Sequence, residues 1–223
     1  MPEQLRAEIA PKISNISYLF ADDIQRHTEN FVPGSRVWLT IAFNMFLSEP
    51  GGCKLFWLKA DAGMGKSAFA SSVVTTCQGW KCLLAYFFCR FDDRRRSNGR
   101  SLIMALAAQI AENLPACREE IELAAANVTD ENTVRNLLTR LVEEPLKNVA
   151  SKPTSNMLLV IDALDEYLEG SIERAIMLEL LKHMIEVLPS FVKVLLTCRP
   201  DEDIMKAFKP FKSRVIEIEV EVI

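Results

Sequence analysis

Residues 55–67, LFWLKADAGMGKS, decide the fold, because an apolar run passes directly into a glycine-bearing loop that ends in Gly65, Lys66 and Ser67. A loop that wraps a polyphosphate needs small residues that let backbone N–H groups turn inward. It also needs a lysine for the β- and γ-phosphates and a hydroxyl for a magnesium ion. Gly63 and Gly65 supply the permissive backbone, Lys66 the cation and Ser67 the hydroxyl. The stretch therefore predicts a phosphate-binding P-loop between a strand and a helix.

The loop departs from the strict pattern G-x-x-x-x-G-K-[ST] at its first position, which is Ala60. Ordinary backbone angles there suit alanine, whereas a positive φ would cost about 1 kcal/mol and loosen the loop. The helix that begins at about Lys66 directs the positive end of its dipole at the phosphates. The candidate nucleotide-binding residues of the loop and the first helical turn are Ala60, Asp61, Ala62, Gly63, Met64, Gly65, Lys66, Ser67 and Ala68.

The composition bounds the class of protein. The 223 residues, 49% of them hydrophobic, suit one large domain or one domain with an appendage. A net charge of -4 gives no electrostatic reason to expect nucleic acid or an anionic membrane as partner. The apolar runs are too short to span a bilayer and the N-terminus is charged, so we expect a soluble, cytoplasmic protein. The spacing of the six cysteines and two histidines favours reduced core thiols over a zinc site or disulfides. We expect the basic cluster 94–96 to be a solvated loop.

Apolar runs alternate with helical periods along the rest of the chain. We predict further strands at 80–88, 156–161, 191–197 and 215–220. We predict helices at 3–10, 13–24, 38–47 with Ser35 as N-cap, 101–114, 131–149 with a break or kink at Pro145, 172–188 and 201–208. This alternation predicts an α/β fold with a mainly parallel sheet covered on both faces.

Three acids follow the strand at 156–161 and complete the candidate site. Asp162 ends this buried strand, where ligands of open α/β sheets collect, and we expect it to hold Mg²⁺ together with Ser67. Asp165 or Glu166 would orient or deprotonate an attacking water. Arg199, directly after the next strand, is the candidate sensor of the γ-phosphate.

Together these residues resemble the NACHT family of STAND signalling NTPases. The resemblance rests on the segments HTENFVPGSRVWL, WLKADAGMGKSAFA, LLAYFFCRFDDRRRS, LIMALAAQIAENLP, LLVIDALDEY and LLTCRP. It implies a P-loop NTPase three-layer sandwich with strand order 5-1-4-3-2. It also implies an ATP/ADP switch in which slow, Mg²⁺-dependent hydrolysis is coupled to self-assembly or to a signalling partner, as in innate immunity. By the same resemblance Val32 and Arg36 lie near the adenine and ribose.

The chain departs from the family at three positions. Ala60 and Ala163 stand where glycine is usual, and Cys198 replaces a serine. The first two put turnover in more doubt than binding. We expect residues 1–30 to form an N-terminal helical or linker segment and residues 31–223 the nucleotide-binding domain, which ends before the family's helical and winged-helix domains.

Two other functions remain open on sequence grounds. One is an interaction scaffold that keeps the fold without hydrolysis, for which Ala60 is the main support. The other is a P-loop kinase in which 94–96 act as a lid over the phosphates.

Overall fold

A computed structural model of the chain describes residues 20–29, 34, 36–149 and 153–220, with only the backbone for 212–214. Its centre is a five-stranded sheet. Strands β1 to β5 are Leu55–Ala60, Leu83–Phe88, Met157–Asp162, Val192–Cys198 and Val215–Val220. Their order across the sheet is β2-β3-β4-β1-β5, and neighbouring strands run parallel. The predicted α/β class and the order 5-1-4-3-2 are therefore confirmed.

Helices cover both faces of this sheet. Across the described residues, helices α1 to α9 are Ala21–Glu29, Val37–Ser48, Lys66–Gly79, Gly99–Asn113, Arg118–Ala126, Val134–Leu138, Glu144–Asn148, Ile172–Val187 and Glu202–Phe208. A π-helical turn, Thr139–Glu143, joins α6 to α7. Short 3₁₀ turns occupy Pro115–Cys117, Leu164–Glu166 and Lys209–Arg214.

The three layers follow from side-chain alternation along β1. Successive residues of a strand point to opposite faces, so Phe56 and Trp57 face different helices. Phe56 packs edge-to-face against Phe43 of α2, with ring centroids 5.4 Å apart. On the other face Trp57 packs against Phe208 of α9, at 5.3 Å. Because both faces are covered, every residue of β1 to β4 is buried. Edge strand β5 is half-exposed.

The second strand is shorter than predicted. Trp80 is the C-cap residue of α3, and its N–H bonds to the carbonyl of Thr76 in the helix. Lys81 then takes a left-handed conformation, with φ +57°, which reverses the chain before Leu83. An apolar run does not distinguish the end of a buried helix from the start of a buried strand, so the predicted strand at 80–88 began too early.

The region between β2 and β3 holds more helix than the pattern predicted. Helix α5 was missed, because only Ile121 and Ala125 of its nine residues are buried and they give a weak helical period. In the predicted helix 131–149, Pro145 lies in the first turn of α7, where a missing N–H removes no helical hydrogen bond. The irregularity that was expected at Pro145 occurs instead in the π-helical turn just before this helix.

Helix α1 packs onto the sheet rather than standing apart from it. Phe20, just before the helix, is fully buried against the rings of Tyr86, Phe87 and Phe88. The predicted helix at 13–24 is a helix only from Ala21 in the described part of the chain, and the one at 3–10 lies outside it. Ser35, the predicted N-cap of α2, also lies outside the described residues.

The expected solvated loop at 94–96 is wrong for one of its three arginines. Arg96 is 5% exposed. Its Nη1 pairs with the buried Asp23 of α1, and its Nε donates to the carbonyl of Phe88 at 2.9 Å. Arg95 is exposed and pairs with Asp93, as a solvated loop predicts. The distant partner in α1 explains why the charge run alone was misleading.

The cysteines are free thiols. Five of the six are buried and Cys53 is half-buried. Burial raises the pKa of Cys117 to about 11 and that of Cys198 to about 12, so both stay protonated at neutral pH. Among the described residues, no helix has the length and apolar character needed to cross a bilayer.

Candidate functional site

The loop between β1 and α3 has the backbone that a phosphate-binding loop requires. Gly63 has φ +76° and Gly65 has φ +73°, both in the left-handed region that favours glycine. A Cβ at Gly63 would meet nothing within 4 Å, so the backbone angle and not the available space calls for glycine there. Such alternation of backbone conformation makes a concave nest of N–H groups that suits an anion.

Helix α3 begins directly at this loop and leaves its first amides available. Gly65 is the N-cap residue and offers no side chain to accept hydrogen bonds from the first turn. The N-terminus of a helix carries unpaired N–H groups and a partial positive charge. In the same region Asp61, Ala62 and Gly63 are exposed, and Met64 is half-exposed. A polyphosphate therefore has open access to the loop.

Lys66 lies inside the loop. The residue is only 9% exposed, and its Nζ donates to the carbonyl oxygens of Ala60 at 2.7 Å and Asp61 at 3.0 Å. Neither partner carries a charge that balances the buried ammonium group. A phosphate group would supply that charge without moving the helix.

Ser67 and Asp162 lie near each other at the carboxyl edge of the sheet. Thr197 at the end of β4 donates to Asp162 Oδ1 at 2.5 Å, and the Ser67 hydroxyl lies close enough to the Asp162 carboxylate to favour its ionised form. The Thr197 hydroxyl oxygen in turn accepts the N–H of Ala163 at 2.9 Å. Burial raises the pKa of the Asp162 carboxyl above its usual value, although the hydrogen bond from Thr197 and the nearby Ser67 hydroxyl act in the opposite direction. A bound cation would offset that cost.

The two other predicted acids lie on a tight turn after β3. Ala163 opens it with φ +58°, a left-handed conformation in a residue that is not glycine. The side chain of Asp165 is 7% exposed and forms a salt bridge with Arg199, with Oδ2 2.9 Å from Nε. Glu166 lines an open cleft of about 780 Å³ together with Asp165 and Arg199. The structure thus brings these three residues together, with Asp165 already paired.

Arg36 lies against the phosphate loop. Its Nη2 donates to the carbonyl of Met64, and its guanidinium nitrogens lie 3.7 Å from where a Cβ on Gly65 would be. Nη1 is buried and has no hydrogen-bond partner among the described residues. Val32, which was grouped with Arg36, lies outside the described residues. Ala60 ends β1 with an ordinary φ, since the left-handed non-glycine residues of the described chain are Lys81 and Ala163.

Two residues near the site were quoted in the sequence motifs but given no role. Thr197 orients Asp162, and its position opposite β3 could be inferred only once the strand order was known. His27 of α1 lies close enough to Asp162 to favour the ionised form of that carboxyl. No local pattern connects His27 to a strand end so far along the chain.

The comparisons with known proteins agree with this geometry. The fold and the phosphate-binding loop are those of a nucleotide-binding, NTPase-like domain. They place the chain among the P-loop NTPases of the STAND class. Within that class the chain belongs to the family described as Nephrocystin 3, N-terminal, whose model matches residues 34–199. The matched range includes the loop, the acidic turn at the end of β3, and Arg199.

Similar solved structures were also found. A chain in a structure of Drosophila ORC bound to DNA is 11% identical, with a TM-score of 0.48 over 99% of this chain and 35% of that one. A chain in a structure of Drosophila ORC bound to GC-rich DNA and Cdc6 is 9% identical, with a TM-score of 0.44 over 98% and 32%. The present chain thus spans about a third of their length. No curated protein matched the sequence.

Proposed function

We propose that residues 60–68 bind the phosphates of ATP or ADP and that the chain is the nucleotide-binding core of a regulatory NTPase. The observation that carries the proposal is the position of Lys66, whose buried ammonium group rests on the neutral carbonyls of Ala60 and Asp61. Cationic side chains are rarely buried without a charged partner, and the open loop around this one suits an anion. Arg36, on the neighbouring loop carbonyl, adds a second positive charge.

A magnesium ion fits the residues at the strand ends. Mg²⁺ prefers oxygen ligands and is usually held by one or two protein groups, phosphate oxygens and water. The contact between the Ser67 hydroxyl and the Asp162 carboxylate supplies such a pair. No cluster of three or more His, Cys, Asp or Glu side chains that could hold a metal occurs among the described residues, and this mode of binding needs none. The ion would neutralise charge on the phosphates.

Glu166 is the better candidate for the residue that orients the attacking water. Asp165 is paired with Arg199, whereas Glu166 faces the open cleft. In hydrolysis the water oxygen attacks the γ-phosphorus and the bond to the β–γ bridging oxygen breaks, which releases ADP and phosphate. Glu166 would accept the proton of the water, and Arg199 would contact the γ-phosphate after leaving Asp165. We expect turnover to be slow, as the resemblance to NACHT proteins implies.

The test compares Glu166→Gln with Asp165→Asn in Mg²⁺-dependent phosphate release and in nucleotide binding. Glu166→Gln should bind ATP like the wild type and release phosphate at least tenfold more slowly. Asp165→Asn should keep measurable turnover. If Glu166→Gln releases phosphate at the normal rate and Asp165→Asn does not, then Asp165 and not Glu166 orients the attacking water. Normal turnover in both would exclude this acidic turn from the reaction.

We further propose that the nucleotide state controls self-association or binding to a cytoplasmic signalling partner, as in NACHT proteins, and that residues 31–223 form the functional domain. Phe91 and Leu168 border the cleft, and about three quarters of the surface of each is exposed. A protein bound to these two side chains would therefore lie next to the acidic turn and could respond to a change there. Light scattering of the protein with Mg-ATP and with Mg-ADP tests this coupling. An identical mass in both states, at any concentration, would contradict it.

The structure weakens the support for the two other functions. The scaffold hypothesis relied on a distorted loop at Ala60, whose backbone is ordinary. The kinase hypothesis used 94–96 as a lid over the phosphates, but Arg96 is buried in a salt bridge with Asp23.

A further inference from the structure

Arg174 is a buried charge that no step of the proposed reaction uses. It lies in the first turn of α8, and its side chain is 2% exposed. Placing a guanidinium group in the interior is costly unless carboxylates and hydrogen bonds compensate for the lost water. An apolar side chain of similar size would often serve stability equally well. The contacts of Arg174 therefore call for a reason other than packing.

Its contacts join two segments that are separated in sequence. Nη1 donates to the carbonyl of Tyr167 at 2.9 Å, directly after the acidic turn. Nη2 pairs with Asp201 Oδ2 at 2.7 Å and Asp203 Oδ1 at 2.6 Å, at the start of α9. One rigid, planar group thus bridges the two segments, which a flexible lysine cannot reproduce.

The bridged segments carry the groups that would act on the γ-phosphate. Tyr167 follows Glu166 directly, and Asp201 lies two residues after Arg199. The same segments are also joined by the salt bridge between Asp165 and Arg199. If Arg199 leaves Asp165 to reach a phosphate, that link is lost. The backbone N–H of Arg199 can still donate to Asp165, and the contacts of Arg174 are then the salt bridges that hold the two segments together.

We propose that Arg174 is a positioning residue of the nucleotide site, which fixes the backbone next to Arg199 relative to the acidic turn. This inference rests on the proposed roles of Glu166 and Arg199. With the backbone held, Arg199 exchanges Asp165 for the γ-phosphate by a side-chain movement alone. Loss of the bridge should therefore impair hydrolysis of ATP more than binding of ADP, since ADP lacks the γ-phosphate.

The experiment measures phosphate release and ADP affinity in Arg174→Met, Arg174→Lys and the wild type. Leu181→Ala is the control, because Leu181 is buried in the same helix and its truncation lowers stability without removing a charge. Arg174→Met should lower kcat at least tenfold and change the Kd for ADP less than threefold. Arg174→Lys should restore little of this loss. Leu181→Ala should lower the melting temperature and leave kcat within threefold.

Asp203→Asn is a second test variant in case Arg174→Met does not fold. The Asp203 side chain is one-third exposed, and its replacement leaves Arg174 paired with Asp201. It should lower kcat at least threefold with unchanged ADP affinity. A kcat like that of the wild type in the variant that folds would overturn the positioning role and leave the proposed function intact. A wild type that binds neither nucleotide would overturn the proposed function, and the positioning role with it.

Discussion

The side chain of Asp165 accepts a hydrogen bond from the backbone N–H of Arg199 at 3.0 Å and forms a salt bridge with Nε of the same residue at 2.9 Å. This pair holds the candidate phosphate sensor on the acidic turn. Since the Arg199 side chain is 51% exposed, the salt bridge contributes little to stability and can open without a large cost. The relationship suits a residue that changes partner when a γ-phosphate is present.

Replacing Arg199 by Ala should therefore change the stability of the protein little and still reduce its preference for ATP over ADP. We expect the free energy of unfolding to fall by less than about 1 kcal/mol. The affinity for ATP should fall about tenfold, the equivalent of one charge-assisted hydrogen bond, while that for ADP stays the same. Calorimetric titration with each nucleotide measures both affinities. Equal losses for ATP and ADP would mean that Arg199 does not contact the γ-phosphate.

Ala60 and Ala163 stand where glycine is usual in the NACHT proteins that the chain resembles. Replacing each by Gly should change the free energy of unfolding in opposite directions. Ala163 has φ +58°, so Ala163→Gly relieves a strained conformation and should stabilise the protein by about 1 kcal/mol. Ala60 ends a buried strand with an ordinary φ, so Ala60→Gly should destabilise it by about 0.5–1 kcal/mol.

Denaturant unfolding of the nucleotide-free protein measures both effects. Ala175→Gly, at an exposed position inside α8, is a control that should cost about 1 kcal/mol. If Ala163→Gly costs as much as this control, the left-handed conformation at Ala163 carries no strain.

Asp162→Asn should stabilise the nucleotide-free protein and weaken its response to Mg²⁺. Burial raises the pKa of the Asp162 carboxyl, so keeping it ionised in the folded state costs free energy at neutral pH. Asn removes this charge and can still accept the hydrogen bond from Thr197. A gain on the order of 1 kcal/mol would raise the melting temperature by about 2–4 °C.

The sign of the pH dependence is a further check on Asp162. Its raised pKa means that the folded wild type binds a proton more tightly than the unfolded chain. The wild type therefore regains stability as pH falls, and the advantage of Asp162→Asn should shrink. Thermal melts at several pH values measure this difference. If the stability advantage of Asp162→Asn over the wild type grows at low pH, the pKa of Asp162 is not raised in the folded protein.

Neighbouring arginines offer a matched test of the contact between α1 and the sheet. Arg96→Ala removes the buried partner of Asp23 and leaves that carboxylate with the more exposed Arg26, so it should cost about 3 kcal/mol. Arg95 is exposed, and Arg95→Ala should leave the melting temperature unchanged. Similar melting temperatures for the two variants would mean that α1 does not depend on the salt bridge between Asp23 and Arg96.

The sequence predicted the features that depend on local order. Alternating apolar runs and helical periods indicated the α/β class, and the resemblance supplied the strand order. The spacing from Gly63 to Ser67 and the strand end at Asp162 indicated the candidate site, because each of these features is local in the chain. Their chemical roles stay predictions until nucleotide binding is measured.

What the sequence did not reveal depends on contacts between distant residues. The sequence placed Arg96 in a solvated loop, since its partner Asp23 lies in helix α1, 73 residues away. Thr197 and Arg174 received no role, because Asp162 belongs to a different strand from Thr197 and Asp201 follows a different strand from Arg174. Helix α5 gave a weak pattern, since it buries few residues. Periodicity reports which face of an element is buried, and it says nothing about which charges pair across the fold.

Calorimetric titration of the wild type and Lys66→Ala with Mg-ADP and Mg-ATP tests the central claim most directly. Lys206→Ala is the matched control, because this lysine is exposed and pairs with Glu202 on the surface. We predict that the wild type and Lys206→Ala bind both nucleotides and that Lys66→Ala loses at least 100-fold in affinity for each. Equal affinity in Lys66→Ala and the wild type, or no binding by the wild type, would contradict the assignment of residues 60–68 as a nucleotide-binding loop.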